Sequence, residues 1–403
     1  MRTREKMRHA TYRHPSCPRG WSIGFFTTAL VLLCLTVRSN DASTTSTLKG
    51  VGVQGRWLTR DGQIWHPRGV GLGAFTYAPW YKNPDHGARL GFVGAAAKFG
   101  PKTLLAVKTW GVDSIRFLVS QPGLDPQSHL YSKTYVEALI KGVQLCLDEG
   151  VVVIIAMQDQ KHSGETDIKP LPTPHTMRAW NVIGPAFANH PYVIFEIFNE
   201  CGIVARGNQA LNRKLWLEGG VHTGPNAKRR HYIGHQTIIS GFRERGWHNV
   251  IIVDSMPWAQ RIDRSVLSLR DPFSRLAFAV HPYTGVAGTT RSEWDARFGD
   301  VSGRVVVLVT EWFANTKAPF HARRQDLPDI CEDFLAYLRE KQIPLWAFAF
   351  DIPGTIVNDY RGTPNNWDRL HAGRVTWGRA GSGCGTQVRR HFGIVGNEPV
   401  AIE

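Results

Sequence analysis

Two carboxylates carry the chemistry of this sequence. The segment Tyr192-Val-Ile-Phe-Glu-Ile-Phe-Asn199-Glu200 is an apolar run that stops on an amide and a carboxylate, and Val305-Val-Val-Leu-Val-Thr310-Glu311-Trp312 repeats the design beside an indole. Continuous Val/Ile runs read as strands buried on both faces of a parallel sheet. In a parallel α/β barrel the C-terminal strand ends floor the active site. A carboxylate there is expensive unless it is used. Two of them on separate strands suit acid/base work on a sugar: one carboxylic acid protonates the leaving oxygen of a glycosidic bond, and the other attacks the anomeric carbon or activates water. Either glutamate alone reads equally well as a helix cap or a surface ion pair; the matched pair argues for a site.

The elements that must position them follow from the same reading. Strand-like runs occur at Arg68–Ala74, Val112–Leu118, Val151–Met157, the Tyr192 run, Val250–Val253, Leu276–Val280, the Val305 run and Pro344–Phe350. Eight is the strand number of a (β/α)8 TIM barrel. Between them lie predicted helices. One runs from Ser132 to Asp148, with Tyr135, Leu139, Val143 and Leu147 at helical spacing and Gly150 as a stop, and another from Leu327 to Lys341. Alternation of strand and helix over some 350 residues predicts one α/β domain over residues 48–403, with no internal repeat, interdomain linker or low-complexity tract.

Polar and aromatic residues recur at the same strand ends. Arg116 closes the second run, Gln158 and His162 follow the third, Trp258 follows the fifth, His281 and Tyr283 follow the sixth, and Trp312 and Trp346 sit in the seventh and eighth. Singly, Arg116 reads as a buried ion pair, His281-Pro282 as a turn and Trp346 as core. Together they converge on one rim. Sugars stack on indole faces, so among fourteen tryptophans Trp80, Trp258, Trp312 and Trp346, with Tyr77, are subsite candidates, whereas Trp110, Trp180 and Trp216 read as packing.

In this order the pieces resemble glycoside hydrolase family 5, the cellulase-like retaining barrels: Arg116 in Ser-Ile-Arg-Phe, Phe-Asn199-Glu200, His281-Pro-Tyr283, Thr310-Glu311-Trp312 and Trp346 in Leu-Trp-Ala-Phe, over roughly residues 50–368. The resemblance implies that Glu200 is the acid/base and Glu311 the nucleophile, and that Arg116, Asn199, His281, Tyr283 and Trp346 shape the subsite at the cleaved bond. It implies no metal or cofactor. The sequence departs from the family's pattern at Gln158, where a His is usual, at Gly71-Leu-Gly73, where an Asn is common, and at Cys201, where a Pro follows the acid/base.

Residues 1–42 combine a basic start with an apolar run from Ile23 to Val37, which predicts a signal peptide, or an anchor if uncleaved, and hence a secreted or cell-surface protein. The chain carries +15; residues 1–42 hold seven Lys/Arg and two Asp/Glu, so the remainder is about +10. Its basic residues are scattered and form no base-reading motif, so nucleic acid is not an expected partner. Cys146, Cys201, Cys331 and Cys384 lie beyond that segment, show no metal-ligand spacing and permit three pairings, none of which the sequence selects. The expected function is retaining hydrolysis of a β-linked glucan or related polysaccharide. A β-mannan, a xylan or a glycolipid, and a carbohydrate-binding barrel without turnover, are the alternatives. A metal-dependent barrel hydrolase would have to use His162, Asp159 and His281.

Overall fold

A computed structural model describes residues 49–76, 99–160, 167–223, 228–316, 324–374 and 382–394 of the 403-residue chain. The expected signal segment, Tyr77, Trp80 and His162 lie outside the described residues. Eight parallel strands close a barrel in sequence order: β1 (Arg68–Leu72), β2 (Ser114–Ser120), β3 (Val152–Gln158), β4 (Val193–Glu196), β5 (Ile251–Asp254), β6 (Leu276–Val280), β7 (Val306–Trp312) and β8 (Leu345–Ala347). The ring shuts where β8 pairs with β1, Trp346 opposite Gly69. This is the TIM barrel that the eight strand-like runs predict.

Side chains alternate between two apolar layers, as a strand period of two requires. Val152, Ile154, Ile194, Ile252, Ala277, Ala279, Val306 and Leu308 fill the tube, while Val153, Ile155, Phe195, Val253, Phe278 and Val307 face the surrounding helices. The helix α1 (Lys133–Asp148) starts where Ser132 Oγ accepts the Tyr135 N–H at 3.3 Å. Buried Tyr135 then donates its hydroxyl to the Phe75 carbonyl and accepts the Ser120 N–H at 2.8 Å, tying that helix to the C-terminal end of β2. In α2 (Pro174–Phe187), Trp180 packs on Phe195 of β4 at 4.9 Å. The helix α3 (Leu327–Lys341) ends at Gln342, whose φ of 57° is a left-handed C-cap.

The lower, N-terminal mouth is floored by a small antiparallel sheet of Val51–Gln54, Trp57–Arg60 and Gln63–Ile64, whose Val51 and Leu58 join the apolar filling. Trp346 belongs to the same filling. Its indole crosses so close to Gly69 that a Cβ there would sit 2.1 Å from Cδ1, and its Nε1–H is satisfied by Ser114 Oγ at 3.0 Å. The four cysteines beyond the N-terminal segment are buried free thiols.

Candidate active site

The inward columns change character at the C-terminal end of the tube. Two residues above Ser114, Ile194, Ile252, Ala279 and Leu308 stand Arg116, Glu196, Asp254, His281 and Thr310, all without solvent exposure. Arg116 is the hub. Its Nε and Nη2 grip the two oxygens of Glu196 at 2.8 and 2.5 Å, Nη1 donates to Glu311 Oε2 at 3.0 Å, and Nη2 also reaches Asn199 Oδ1. Burial works against a guanidinium, but the Glu196 and Glu311 charges outweigh it and hold Arg116 firmly protonated.

The two predicted catalytic carboxylates meet different company. Glu311 accepts from Arg116 and, on Oε1, from the Tyr283 hydroxyl at 2.7 Å. Burial and the Glu311 charge push the Tyr283 phenol far up, so it remains a donor. Glu200 follows β4 with a φ of 54°, its main-chain N–H donating to Asp254 Oδ2 at 2.8 Å. Its side chain accepts from Gln160 Nε2 at 2.7 Å and lies 3.1 Å from His281 Nδ1, while His281 Nε2 sits 2.9 Å from Thr310 Oγ1. Burial favours a neutral Glu200, yet the His281 contact prevails and lowers its pKa. Correspondingly, burial opposes charge on His281, and Glu311 and Glu200 raise its pKa. Oxygens of Glu200 and Glu311 and a ring nitrogen of His281 all lie within 4.8 Å of one another.

Not every predicted residue joins them. Arg116, Asn199, His281 and Tyr283 do; Trp312 and Trp346 do not line the cleft. The β7–β8 register shifts between Val309 and Trp312. That irregularity turns both Thr310 and Glu311 inward and sends Trp312 outward, fully buried against Phe334 of α3 at 4.8 Å. Trp346 is held one layer too low by Gly69 and Ser114. The aromatic at the rim end of β8 is instead Phe348, partly exposed, 6.2 Å from Phe313, which in turn packs edge-on to Tyr283 at 5.5 Å. Trp258 is 48% exposed, and its indole Nε1 lies beside Gly202 just past Glu200. Gln158 is buried at the end of β3, and Gln160 makes the contact to Glu200.

Sequence reasoning passed over Glu196, Asp254, Gln160 and Phe348. The first two were marked only by parity, an acid two residues above an inward Ile; the loop residues carried no such mark. Asp159, a member of the metal-hydrolase set, is engaged by Gln121 at 3.1 Å and Lys169 at 3.8 Å. Among the described residues, Glu196/Asp254/His281 and Glu200/His281/Glu311 each gather three potential metal ligands. Arg116, Tyr283, Gln160 and the Glu200 N–H each donate to one or more of these carboxylates, and the Arg116 guanidinium lies among them as a counter-charge.

Residues 97–351 match the family model described as Cellulase (glycosyl hydrolase family 5). No curated protein sequence matches the chain. Solved structures share the fold. A GH5 cellulase from an Icelandic hot spring isolate is 17% identical, with a TM-score of 0.56, and the match covers 88% of this chain and 96% of that one. The endoglucanase catalytic domain of Thermobifida fusca in complex with cellotetraose is 17% identical (TM-score 0.54, 86% and 97% covered). A mannotriose complex of β-mannanase from Thermomonospora fusca is 16% identical (TM-score 0.51, 82% and 93% covered).

Proposed function

This chain belongs to glycosyl hydrolase family 5 and is a glycosidase acting on O-glycosyl bonds, and we propose that it cleaves a β-linked glucan or the related β-mannan with retention, Glu200 serving as acid/base and Glu311 as nucleophile. The observation that carries this reading is the approach of the Glu200 and Glu311 oxygens to within 4.8 Å. Carboxyl groups about 5–5.5 Å apart leave room for a sugar carbon between them, whereas inversion needs about 6.5–9.5 Å to admit water as well.

Each neighbour suits its proposed task. Arg116 and Tyr283 each donate to one oxygen of Glu311 and so orient the carboxylate as a nucleophile. Glu200 and His281 share a proton over a 3.1 Å contact. As Glu311 bonds to the anomeric carbon its charge disappears, and with it part of what keeps His281 protonated. The proton delivered through Glu200 to the leaving oxygen therefore departs as the covalent intermediate forms, and Glu200 is left as the base for the attacking water. Asn199 stands where its amide can grip a sugar hydroxyl more tightly as the ring flattens, and Trp258 and Phe348 offer faces for sugar C–H groups. Cellotetraose and mannotriose bound to proteins of this fold support a β-linked hexose chain as the substrate class. The basic and apolar residues 1–42 support export, checked by sequencing the N-terminus of the exported protein.

Azide separates the roles. Glu311→Gly loses turnover by about 10⁴-fold or more and regains it with azide on an activated aryl glycoside, giving a glycosyl azide of inverted configuration. Glu200→Ala keeps the first step on that substrate, and azide then yields the retained product. Exchanged stereochemistry would exchange the two assignments. Counting reducing ends released from a panel of glucans, mannans and xylans names the polymer.

A further inference from the structure

Asp254 is a buried acid that the double displacement does not use. It ends β5 with its side chain inside the tube and no solvent exposure, and Trp216 Nε1–H fixes its own carbonyl at 2.9 Å. Oδ2 accepts the Glu200 N–H at 2.8 Å; Oδ1 meets no donor among the described residues. A carboxyl oxygen of Asp254, one of Glu196 and a nitrogen of His281 lie within 4.8 Å of one another. The groups facing it are Arg116 from β2, Glu196 and Glu200 from β4 and its end, and His281 from β6, with the Cys201 thiol behind. Arg116, the fixed cation among them, spends its donors on Glu196, Asn199 and Glu311. Asp254 is thus a carboxyl beside a buried carboxylate, and the cationic groups near it, Arg116 and His281, are already engaged by Glu196, Glu311 and Glu200.

The bond it does make falls on a demanding place. Glu200 has a φ of 54°, a left-handed conformation that a residue with a side chain adopts only where its surroundings impose it. We propose that Asp254 is a positioning residue for the acid/base, an uncharged hydrogen-bond acceptor that clamps the Glu200 main chain in this conformation and so aims its carboxyl at the leaving oxygen. The inference rests on the reading of Glu200 as acid/base. Burial, and after it the Glu196 charge, push the Asp254 carboxyl well above the ordinary range, in keeping with the neutral form. Neutrality also serves the reaction. An ionised Asp254 would add a negative charge beside His281, tightening its hold on the proton that Glu200 must deliver.

The test compares Asp254→Asn with Asp254→Ala on phenyl and dinitrophenyl β-cellobiosides or β-mannobiosides. Asparagine keeps an acceptor oxygen and no charge, so kcat/KM stays within about threefold of wild type and both limbs of its pH profile stay in place. Alanine removes the clamp: kcat falls about 100-fold with the poor phenol leaving group and less than about tenfold with dinitrophenol, which needs no proton. Wild type minus Asp254→Asn infrared difference spectra show the C=O stretch of a protonated carboxylic acid at neutral pH. A shifted pH profile in Asp254→Asn, or a carboxylate band in its place, overturns the uncharged role. Equal losses on both leaving groups in Asp254→Ala overturn the aiming role. Should wild-type protein turn over neither glycoside, the reading of Glu200 falls, and the infrared band still decides the charge of Asp254 by itself.

Discussion

The lower and upper halves of the barrel interior are built from the same strands, two residues apart, and obey opposite rules. At Ile194, Ile252, Ala279 and Leu308 the inward side chain is hydrocarbon or a methyl group; one strand period higher stand Glu196, Asp254, His281 and Thr310. The lower half gains from area removed from water and tolerates no polar atom without a partner, so its one indole N–H is matched to Ser114. The upper half concentrates charge in a space from which water is largely excluded and survives because Arg116 answers two carboxylates at once. One end of a barrel strand holds the fold and the other does chemistry, and the boundary is a single residue pair wide.

The harshest way to break this contrast is to remove its hub. Arg116→Ala leaves Glu196 and Glu311 buried without a counter-charge, and removing one partner of a buried ion pair destabilises by about 3–5 kcal/mol. The same change strips an orienting donor from the nucleophile, which lowers kcat by about 10² to 10³. Denaturant unfolding and steady-state kinetics check the two losses; a variant of full stability would show that the upper half is not knit by charge. A milder probe strikes below. Gly69→Ala drives a Cβ into the Trp346 indole, at a cost of about 1–3 kcal/mol for overpacking, with kcat of the folded protein unchanged. A fall in kcat as large as the loss of stability would join the halves that the comparison separates. The smallest effect belongs to the rim. Trp258→Ala gives up a stacking face of about 1 kcal/mol, roughly fivefold in KM, and leaves the melting temperature in place.

Much of this was readable in advance. Each of the eight strand-like runs contains a barrel strand, and α3 spans Leu327–Lys341 as its pattern predicts. Arg116, Asn199, Glu200, His281, Tyr283 and Glu311 stand out because a polar residue closing an apolar run is conspicuous. Glu196 was hidden by its apolar flanks Phe195 and Ile197, although counting by twos from Ile194 points it inward. Trp312 misled because a strict alternation fails where the β7–β8 register shifts, and no local composition announces the shift. Trp346 misled by two residues: the indole is the more conspicuous ring, but Gly69 opens a pocket for it below, and Phe348 takes the rim. Gln160 depended on the path of a loop, which follows from packing rather than from pattern. The floor sheet escaped notice because its strands of two to four residues are separated only by Gly55-Arg56 and Asp61-Gly62.

The pairing of β8 with β1, Trp346 opposite Gly69, has a consequence for how the chain is made. A ribosome adding about 5–20 residues per second delivers Trp346 on the order of tens of seconds after Gly69. Until then the nascent sheet has two open edges, β1 and the most recent strand, and its filling lacks the largest piece. The floor sheet, with Val51 and Leu58, emerges first and covers part of that hydrocarbon from the outset. A chain terminated anywhere before Ala347 is left with the edges unpaired, the condition in which sheets join their neighbours instead of themselves.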